Sequence, residues 1–348
     1  MAGLCAAIEC RKLGADVKVI DAGGGAGLAA AGMLAPVHEL DYTETDLLQA
    51  GLAARDFYPV WLDSLDIKPD SVGLNFSGAI EVAVDAQEIP ELKRHFEFQR
   101  QLGLNVEWME ASDLREKEPG LGPDVCAGVF APQEGRVDPR LLLEQIKTRV
   151  ENLVPRRAVA MQFFGGDLKI TDDSGEVHSA KQLLLATGAG VPAFSSELVP
   201  PQPVPDLAIE GMPKIYPVLG EMLSVKGAAL KTTVRIRSRR YGRGYIVPHP
   251  GRTVVGSTSE ERGRDLTPTL GGLADVMHRA YCAVPALYDL PVTEIWTGLR
   301  PATLSRKPVM EKIASQVFVF NGLYRHGILL APYLAVRMAH ILSVDANP

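Results

Sequence analysis

The sequence predicts an α/β fold, α+β overall, in which helix-and-strand text frames strand-rich, largely antiparallel text. Three observations predict it. Short apolar runs end in turn residues early and midway: Val17-Lys18-Val19-Ile20 before Asp21, and Leu183-Leu184-Leu185-Ala186 before Thr187-Gly188. Between 217 and 298 most of the text reads as strands. Over 317–345 a strand and turn lead into a long last helix. This order fits one discontinuous domain with a second inserted into it.

Residues 3–13 read as a short helix closed by Gly14. Residues 16–20 read as a buried strand ending at Asp21, 18 residues beyond Gly3. In a dinucleotide-binding βαβ unit the last glycine opens the helix, and an acidic residue about this far on meets the ribose. The strand and the G-x-G turn that begin such a unit would precede Met1, so both are expected to be missing from the chain. Gly23-Gly24-Gly25-Ala26-Gly27 is a loop with little bulk. Leu47, Leu48, Leu52, Phe57, Trp61 and Leu65 recur at near-helical intervals and predict a helix over 43–66. Ala79 to Val84 reads as a strand, and 88–102 as a charged helix. Arg136 to Val150 reads as another helix, introduced by Asp138-Pro139, a cap followed by a first-turn proline.

A strand near Val159, a turn at 165–167 and a strand at 168–171 follow. Proline-rich 199–217 reads as a connector. Strands are expected at 217–225, 233–237, 244–248, 253–257 and 292–298, with a helix at about 270–284. The nucleotide domain is therefore assigned 1–77, 140–198 and 296–348, and the substrate domain 78–139 and 199–295.

A net charge of −6 gives no basic face for nucleic acid. No apolar run approaches the ~18 residues of a membrane span. Glu9, Arg11 and Lys12 interrupt any signal-peptide core. Cys5, Cys10, Cys126 and Cys282 lack C-x-x-C spacing; they read as small buried residues and favour a reducing, cytoplasmic setting. The histidines show no ligand spacing, so no metal is expected.

Several stretches carry chemistry. In Ala29-Ala30-Ala31-Gly32-Met33-Leu34-Ala35-Pro36, small side chains would let backbone N–H groups approach a large planar ligand; a packed loop is the even alternative. Thr187-Gly188 ends a strand where doubly wound sheets place ligands. Arg300, in Gly298-Leu299-Arg300-Pro301-Ala302-Thr303, and Arg325, in Gly322 to Pro332, sit among apolar residues and glycine. A guanidinium there needs an anionic partner, and a carboxylate matches its fork. An internal salt bridge is the alternative for Arg300. Tyr245, in Gly244-Tyr245-Ile246-Val247-Pro248, could add a phenol to the same carboxylate; alone it reads as core. The five arginines at 235, 237, 239, 240 and 243 read as a solvated strand and turn.

Together these motifs resemble the glycine oxidases of thiamine biosynthesis, within the D-amino-acid oxidase group of flavoproteins. The resemblance rests on Ala29 to Pro36, Gly298 to Thr303 and, most specifically, Gly322 to Pro332, and it runs from residue 3 to about 340. It implies non-covalent FAD and oxidation of glycine, sarcosine or a D-amino acid at Cα, with O2 reduced to peroxide. It implies that Arg300 clamps the substrate carboxylate, Tyr245 assists, and Met33 lies near flavin and substrate. Cofactor contacts would come from Gly3, Asp21, Ala30, Ala31, Gly32, Met33, Val159, Thr187, Gly188, Gly298, Arg325, His326, Gly327, Ile328 and Leu329. Two alternatives stand beside this: a related flavin amine oxidase or D-amino-acid dehydrogenase, and an N-terminally truncated, FAD-deficient, inactive product. A homo-oligomer is left open.

Overall fold

The computed structural model describes residues 1–39, 41–164, 166–190 and 212–346. Its contacts divide the chain into two units, Met1–Leu28 with Leu143–Pro217 and Arg300–Pro348, and Ala29–Leu142 with Val218–Leu299. Residues 29–77, which the sequence assigns to the nucleotide domain, thus fall in the strand-rich unit. The pairing of Met33–Leu34 with Gly135–Arg136 holds their start there. Residues 191–211, which include 199–211 of the proline-rich connector, and the turn residue 165 lie outside the described residues.

In the first unit the opening helix is Ala2–Lys12. Val19–Ile20 pairs in parallel with Leu153–Val154, and Leu183–Leu185 in parallel with Val317 to Val319. Val309–Ala314 adds an antiparallel edge to that pair. Ala158–Phe164, Asp167–Asp172 and Val177–Ala180 form an antiparallel meander. Leu168, Ile170, Leu185, Val317 and Val319 make one core cluster. The last helix, Gly327–Ala346, packs on Ala2–Lys12. The window Tyr324–Asp345 is long and apolar enough, at a mean hydropathy of 1.6, to pass as a membrane span. This corrects the expectation that no run is long enough. Leu330, Ala331, Ala335 and Met338 are buried inside the protein, as in a core helix.

The second unit is built on an eight-stranded sheet. Its order is Val292–Ala302, Tyr216–Lys226, Arg252–Gly256, Gly242–His249, Thr233–Ser238, Ala79–Ala83, Ala127–Ala131, Glu107–Glu110. Thr233–Ser238 and Ala79–Ala83 run parallel, while Tyr216–Lys226 with Arg252–Gly256, Arg252–Gly256 with Gly242–His249, Gly242–His249 with Thr233–Ser238, Ala79–Ala83 with Ala127–Ala131 and Ala127–Ala131 with Glu107–Glu110 are antiparallel. Ile80, Val82, Leu223, Val234, Ile236 and Val255 meet helix Leu270–Ala283 through Val276 and Ala280. Helix Thr45–Asp63 forms where the apolar spacing predicts it and buries Leu48, Ala54, Tyr58, Trp61 and Leu62. Asp138 caps the helix Pro139–Lys147, its Oδ1 accepting from Arg140 N at 2.9 Å.

Two sequence readings are corrected. Arg235 and Arg237 alternate onto one face of their strand and pair with Glu39 and Glu81, and Arg237 is buried; only Arg239, Arg240 and Arg243 are solvated. Burial raises the Glu81 carboxyl, but His95, Arg237 and Arg235 outweigh it and hold the group well below the usual carboxylate range. Cys5 and Cys10 are buried, and desolvation pushes their thiols up to about 12 and about 11, whereas Cys126 and Cys282 are half-buried.

Candidate functional site

In the first unit the expected site residues lie on several elements, Asp21, Thr187 and Gly188 just beyond strand ends. Gly3 faces Ala186, where a Cβ would lie 3.1 Å from the alanine methyl, so helix and strand approach closely. Asp21 follows Val19–Ile20, and its Oδ1 accepts from Gly23 N at 2.9 Å in an Asx turn. Val159 is the extra residue of a bulge between Ala158 and Ala160. Thr187 and Gly188 follow the carboxyl end of Leu183–Leu185, beside the end of the parallel strand Val317–Asn321.

Asn321 ties these ends together. Its Nδ2 donates to Gly188 O at 3.0 Å, and its Oδ1 accepts from Gly322 N at 2.8 Å. Gly322 has φ +71°, and a Cβ there would lie 2.7 Å from Thr303 Cγ2. Sequence reading missed Asn321; its signal is an amide ending the apolar strand Val-Phe-Val-Phe. Tyr324–His326 then forms a 3-10 turn that leads into the last helix at Gly327. Gly327, Ile328 and Leu329 are the first turn of that helix, where N–H groups lack intrahelical carbonyls and the macrodipole is positive. Arg325 and His326 sit in the preceding turn, and His326 is buried.

In the second unit the small-residue stretch is held by its carbonyls. Trp296 Nε1 donates to Ala29 O at 3.2 Å, His249 Nε2 to Ala31 O at 2.9 Å and Val137 N to Gly32 O at 2.9 Å. The N–H groups of Ala30 and Ala31 donate to nothing among the described residues, although Ala31 is buried. Gly32 is required: with φ +86°, a Cβ would lie 1.9 Å from Val137 O. At Gly298 a Cβ would lie 2.4 Å from Ala29 Cβ.

Met33, Tyr245 and Trp296, all half-buried, pack with Ala31, Val247 and Val254. Tyr245 pairs with Gly256, whose other neighbour is Met222, and the phenol lies against the glycine. Trp296, Gly298 and Arg300 occupy alternate positions of one strand, Val292–Ala302, and so share a face. Arg300 is half-buried. Gly256 and Trp296 are further residues that sequence reading did not assign to the site. Nothing in one sequence reveals which glycine will face a tyrosine on the next strand.

Two features thus suit a large acceptor-bearing ligand: orphaned N–H donors beside small residues, and a helix start beside the carboxyl ends of parallel strands. A profile of FAD dependent oxidoreductases matches residues 1–341. The chain belongs to this family. The flavoprotein is 28% identical over 334 residues to a glycine oxidase of Geobacillus kaustophilus, covering 92% of this chain and 84% of the relative. It is 30% identical over 352 residues to a Rhizobium etli protein provisionally named a thiamine biosynthesis oxidoreductase, covering 99% and 94%. It spans about half the length, 51%, of the bifunctional ThiO/ThiG protein of Trichormus variabilis, at 28% identity over 98% of this chain. The crystal structure of Geobacillus kaustophilus glycine oxidase superposes with a TM-score of 0.85 at 26% identity, covering 99% of this chain and 92% of that one.

The N–H of buried Ala31, without a partner among the described residues, fits the flavin assignment, since a flavin carries acceptor oxygens and nitrogens and a flat face that tolerates only small neighbours. Asp172, Glu176 and His178 of this flavoprotein bring potential ligand atoms within 4.8 Å of one another. Asp172 is already engaged there, accepting from Ser174 N and Oγ, Glu176 N and His178, and the group reads as a turn clasp.

Proposed function

We propose that this flavoprotein oxidises glycine or another small amino acid to the imine, in thiamine biosynthesis, with O2 reduced to H2O2. The observation that carries the reading is the half-buried cluster of Met33, Tyr245 and Trp296. Its tryptophan lies on the strand that presents Arg300 on the same face. The resemblance to glycine oxidases supports the choice of substrate.

FAD, when bound, supplies the two-electron acceptor that takes hydride from Cα and passes the electrons to O2. Ala30, Ala31, Gly32, Met33 and Gly298, with Gly3, Asp21, Val159, Thr187 and Gly188, would hold it. Arg325, His326, Gly327, Ile328 and Leu329 would hold its polar edge. Arg300 binds the substrate carboxylate through its guanidinium fork, and the Tyr245 hydroxyl donates a second hydrogen bond to it. Fixing the carboxylate fixes Cα, and such positioning supplies much of the rate. Met33 and Trp296 exclude water from the reacting carbon. The amine enters neutral, so its lone pair forms the C=N bond as the Cα–H bond breaks. No side chain need remove a proton from carbon. Water then splits the imine to the oxo acid and ammonia. Free thiols and this chemistry suit a cytoplasmic setting.

The test is spectroscopic. The purified protein is expected to be yellow, to bleach with glycine under anaerobic conditions, and to release one H2O2 per turnover in air. Bleaching with dye reduction but no peroxide would favour a dehydrogenase. A protein that stays colourless when offered FAD would overturn the reading.

A further inference from the structure

A buried ion pair stands at the end of the small-residue stretch. The side chains of His38 and Glu134 are both fully buried, and they meet through Nδ1 and the carboxylate Oε2. The other oxygen, Oε1, accepts from Val37 N at 2.6 Å and His38 N at 3.0 Å. His38 Nε2 lies 3.1 Å from Val129 O, on the sheet strand Ala127–Ala131. An ionised carboxylate and a carbonyl only accept, so both ring nitrogens carry protons and the imidazole is a cation.

The pair completes a short ladder. Val137 N donates to Gly32 O, Met33 pairs with Arg136 and Leu34 with Gly135. Strands ordinarily run to about 5–6 residues, and so brief a ladder does not hold itself. Glu134, the next residue, carries it on by clasping Val37 and His38. Two further bonds fix the same turn: Glu39 N donates to Ala35 O at 3.0 Å, and Gln99 Nε2 to Val37 O at 3.0 Å. The backbone of Glu134 is held in turn, its carbonyl accepting from Gly78 N at 2.9 Å. Residues 30–33 are thereby tied to the sheet through His38.

A buried ion pair is a poor source of net stability, because desolvation offsets its attraction; fixed geometry is what it can supply. We propose that His38 and Glu134 are positioning residues for the flavin: their charged pair sets the backbone of residues 30–33 against FAD, and FAD is released more readily once His38 gives up its proton. The inference rests on the proposed flavin contact of residues 30–33. A neutral ring has one N–H, so either Glu134 or Val129 O would then face a lone pair.

The charged groups around the ring are Glu134, Glu81 and Arg235. Arg235 pairs with Glu39, and Glu81 with Arg237 and His95. Burial opposes the imidazolium, but Glu134, by charge and hydrogen bond, and Glu81 outweigh burial and Arg235, so the pKa is raised above 6.5. The proton is held below pH 6.5 and given up as pH rises through the raised value.

The test reads FAD affinity on the holoprotein, from flavin fluorescence on dilution between about pH 6 and about pH 10, with the thermal midpoint recorded alongside. The unaltered protein is expected to lose about tenfold or more in affinity toward the alkaline end. His38→Gln is expected to bind FAD about tenfold more weakly at pH 6.5, with a much flatter profile, the effect of losing a charge-assisted hydrogen bond. A role in stability alone would lower the thermal midpoint of His38→Gln and leave its FAD affinity untouched, which would overturn the proposal. So would the same pH profile in both proteins. Ala30→Val reports on the flavin contact itself. Weaker FAD binding there with unchanged binding in His38→Gln would overturn the positioning role alone; unchanged affinity in both would overturn the contact with it. If His38→Gln does not fold, the ring ¹⁵N resonances of the unaltered holoprotein decide. A doubly protonated His38 at pH 6.5 that loses a proton over the range in which FAD is released supports the proposal, and a neutral His38 at pH 6.5 overturns it.

Discussion

Gly256→Ala probes how tightly Tyr245 is positioned. A Cβ built on Gly256 would lie 2.7 Å from the Tyr245 hydroxyl oxygen, 2.8 Å from Cζ and 2.7 Å from Met222 Cγ. Relief of that overlap to ordinary contact, ~3.5 Å, needs a retreat of roughly 0.7–1 Å by the phenol or the thioether. Met222 is buried and the ring packs with Met33 and Trp296, so neither retreats freely. Overpacking of this kind costs about 1–3 kcal/mol of stability. If the phenol contacts the substrate carboxylate, a displacement near 1 Å is expected to lower kcat/KM for glycine by about 10- to 100-fold. The assay is steady-state peroxide production, with the flavin spectrum and thermal midpoint recorded on the same preparation. The comparison is Tyr245→Phe, since two changes acting through one hydroxyl should combine far less than additively. A folded, yellow Gly256→Ala protein with unchanged kcat/KM would refute the role of the tyrosine, and fully additive losses would refute the route through it.

Other outcomes follow from the same geometry. Arg300→Ala is expected to cost about 3–5 kcal/mol of transition-state binding, read as kcat/KM for glycine, because the substrate carboxylate loses its countercharge; an unchanged value would remove Arg300 from the site. Gly32→Ala is expected to destabilise by about 3 kcal/mol or more in urea unfolding, since φ is +86° and the new Cβ meets Val137 O at 1.9 Å; a change within experimental error would mean the loop relaxes. His249, with its folded pKa lowered from 6.5 to about 4, binds its proton less readily than in the unfolded chain. Its contribution to stability is complete above pH 6.5 and declines by about 1.4 kcal/mol per pH unit as pH falls toward 4. Urea titrations of His249→Gln should lack that slope, and an identical pH dependence in both proteins would contradict it.

Periodicity made the longer elements legible. The apolar spacing from Leu47 to Leu65 gave the helix Thr45–Asp63 to within a few residues, and the inserted strands lie where their β-branched runs place them. Shorter elements escaped. Glu107–Glu110 has only four residues, and Ala127–Ala131 contains a glycine that a strand does not favour; a Cβ on Gly128 would lie 2.9 Å from Glu81 O. Val17 and Lys18 look like strand, yet the ladder begins at Val19, where a partner at Leu153 exists. The paired arginines, Arg235 and Arg237, were misread for a similar reason. Charge alternation on Thr233–Ser238 was visible, but Glu39 and Glu81 are more than a hundred residues away in sequence. Arg300 and the Ala29 stretch stood out because charge or small size was set in apolar text. Asn321 did not, since a strand-end amide is ordinary until the loop it holds is known.

The parallel pairing of Leu183–Leu185 with Val317–Val319 bears on how the protein is made. A ribosome delivers the second strand roughly 130 residues after the first, about 6–26 s later at ~5–20 residues per second. Throughout that interval Leu183, Leu184 and Leu185 are an apolar strand whose native neighbour has not been synthesised. Such an edge can recruit the wrong strand, from this chain or another. The strand-rich unit up to Leu299 emerges before this edge is closed. Expression yield should therefore respond to translation speed over residues 190–317 and to chaperone supply, even for substitutions that leave the finished protein unchanged.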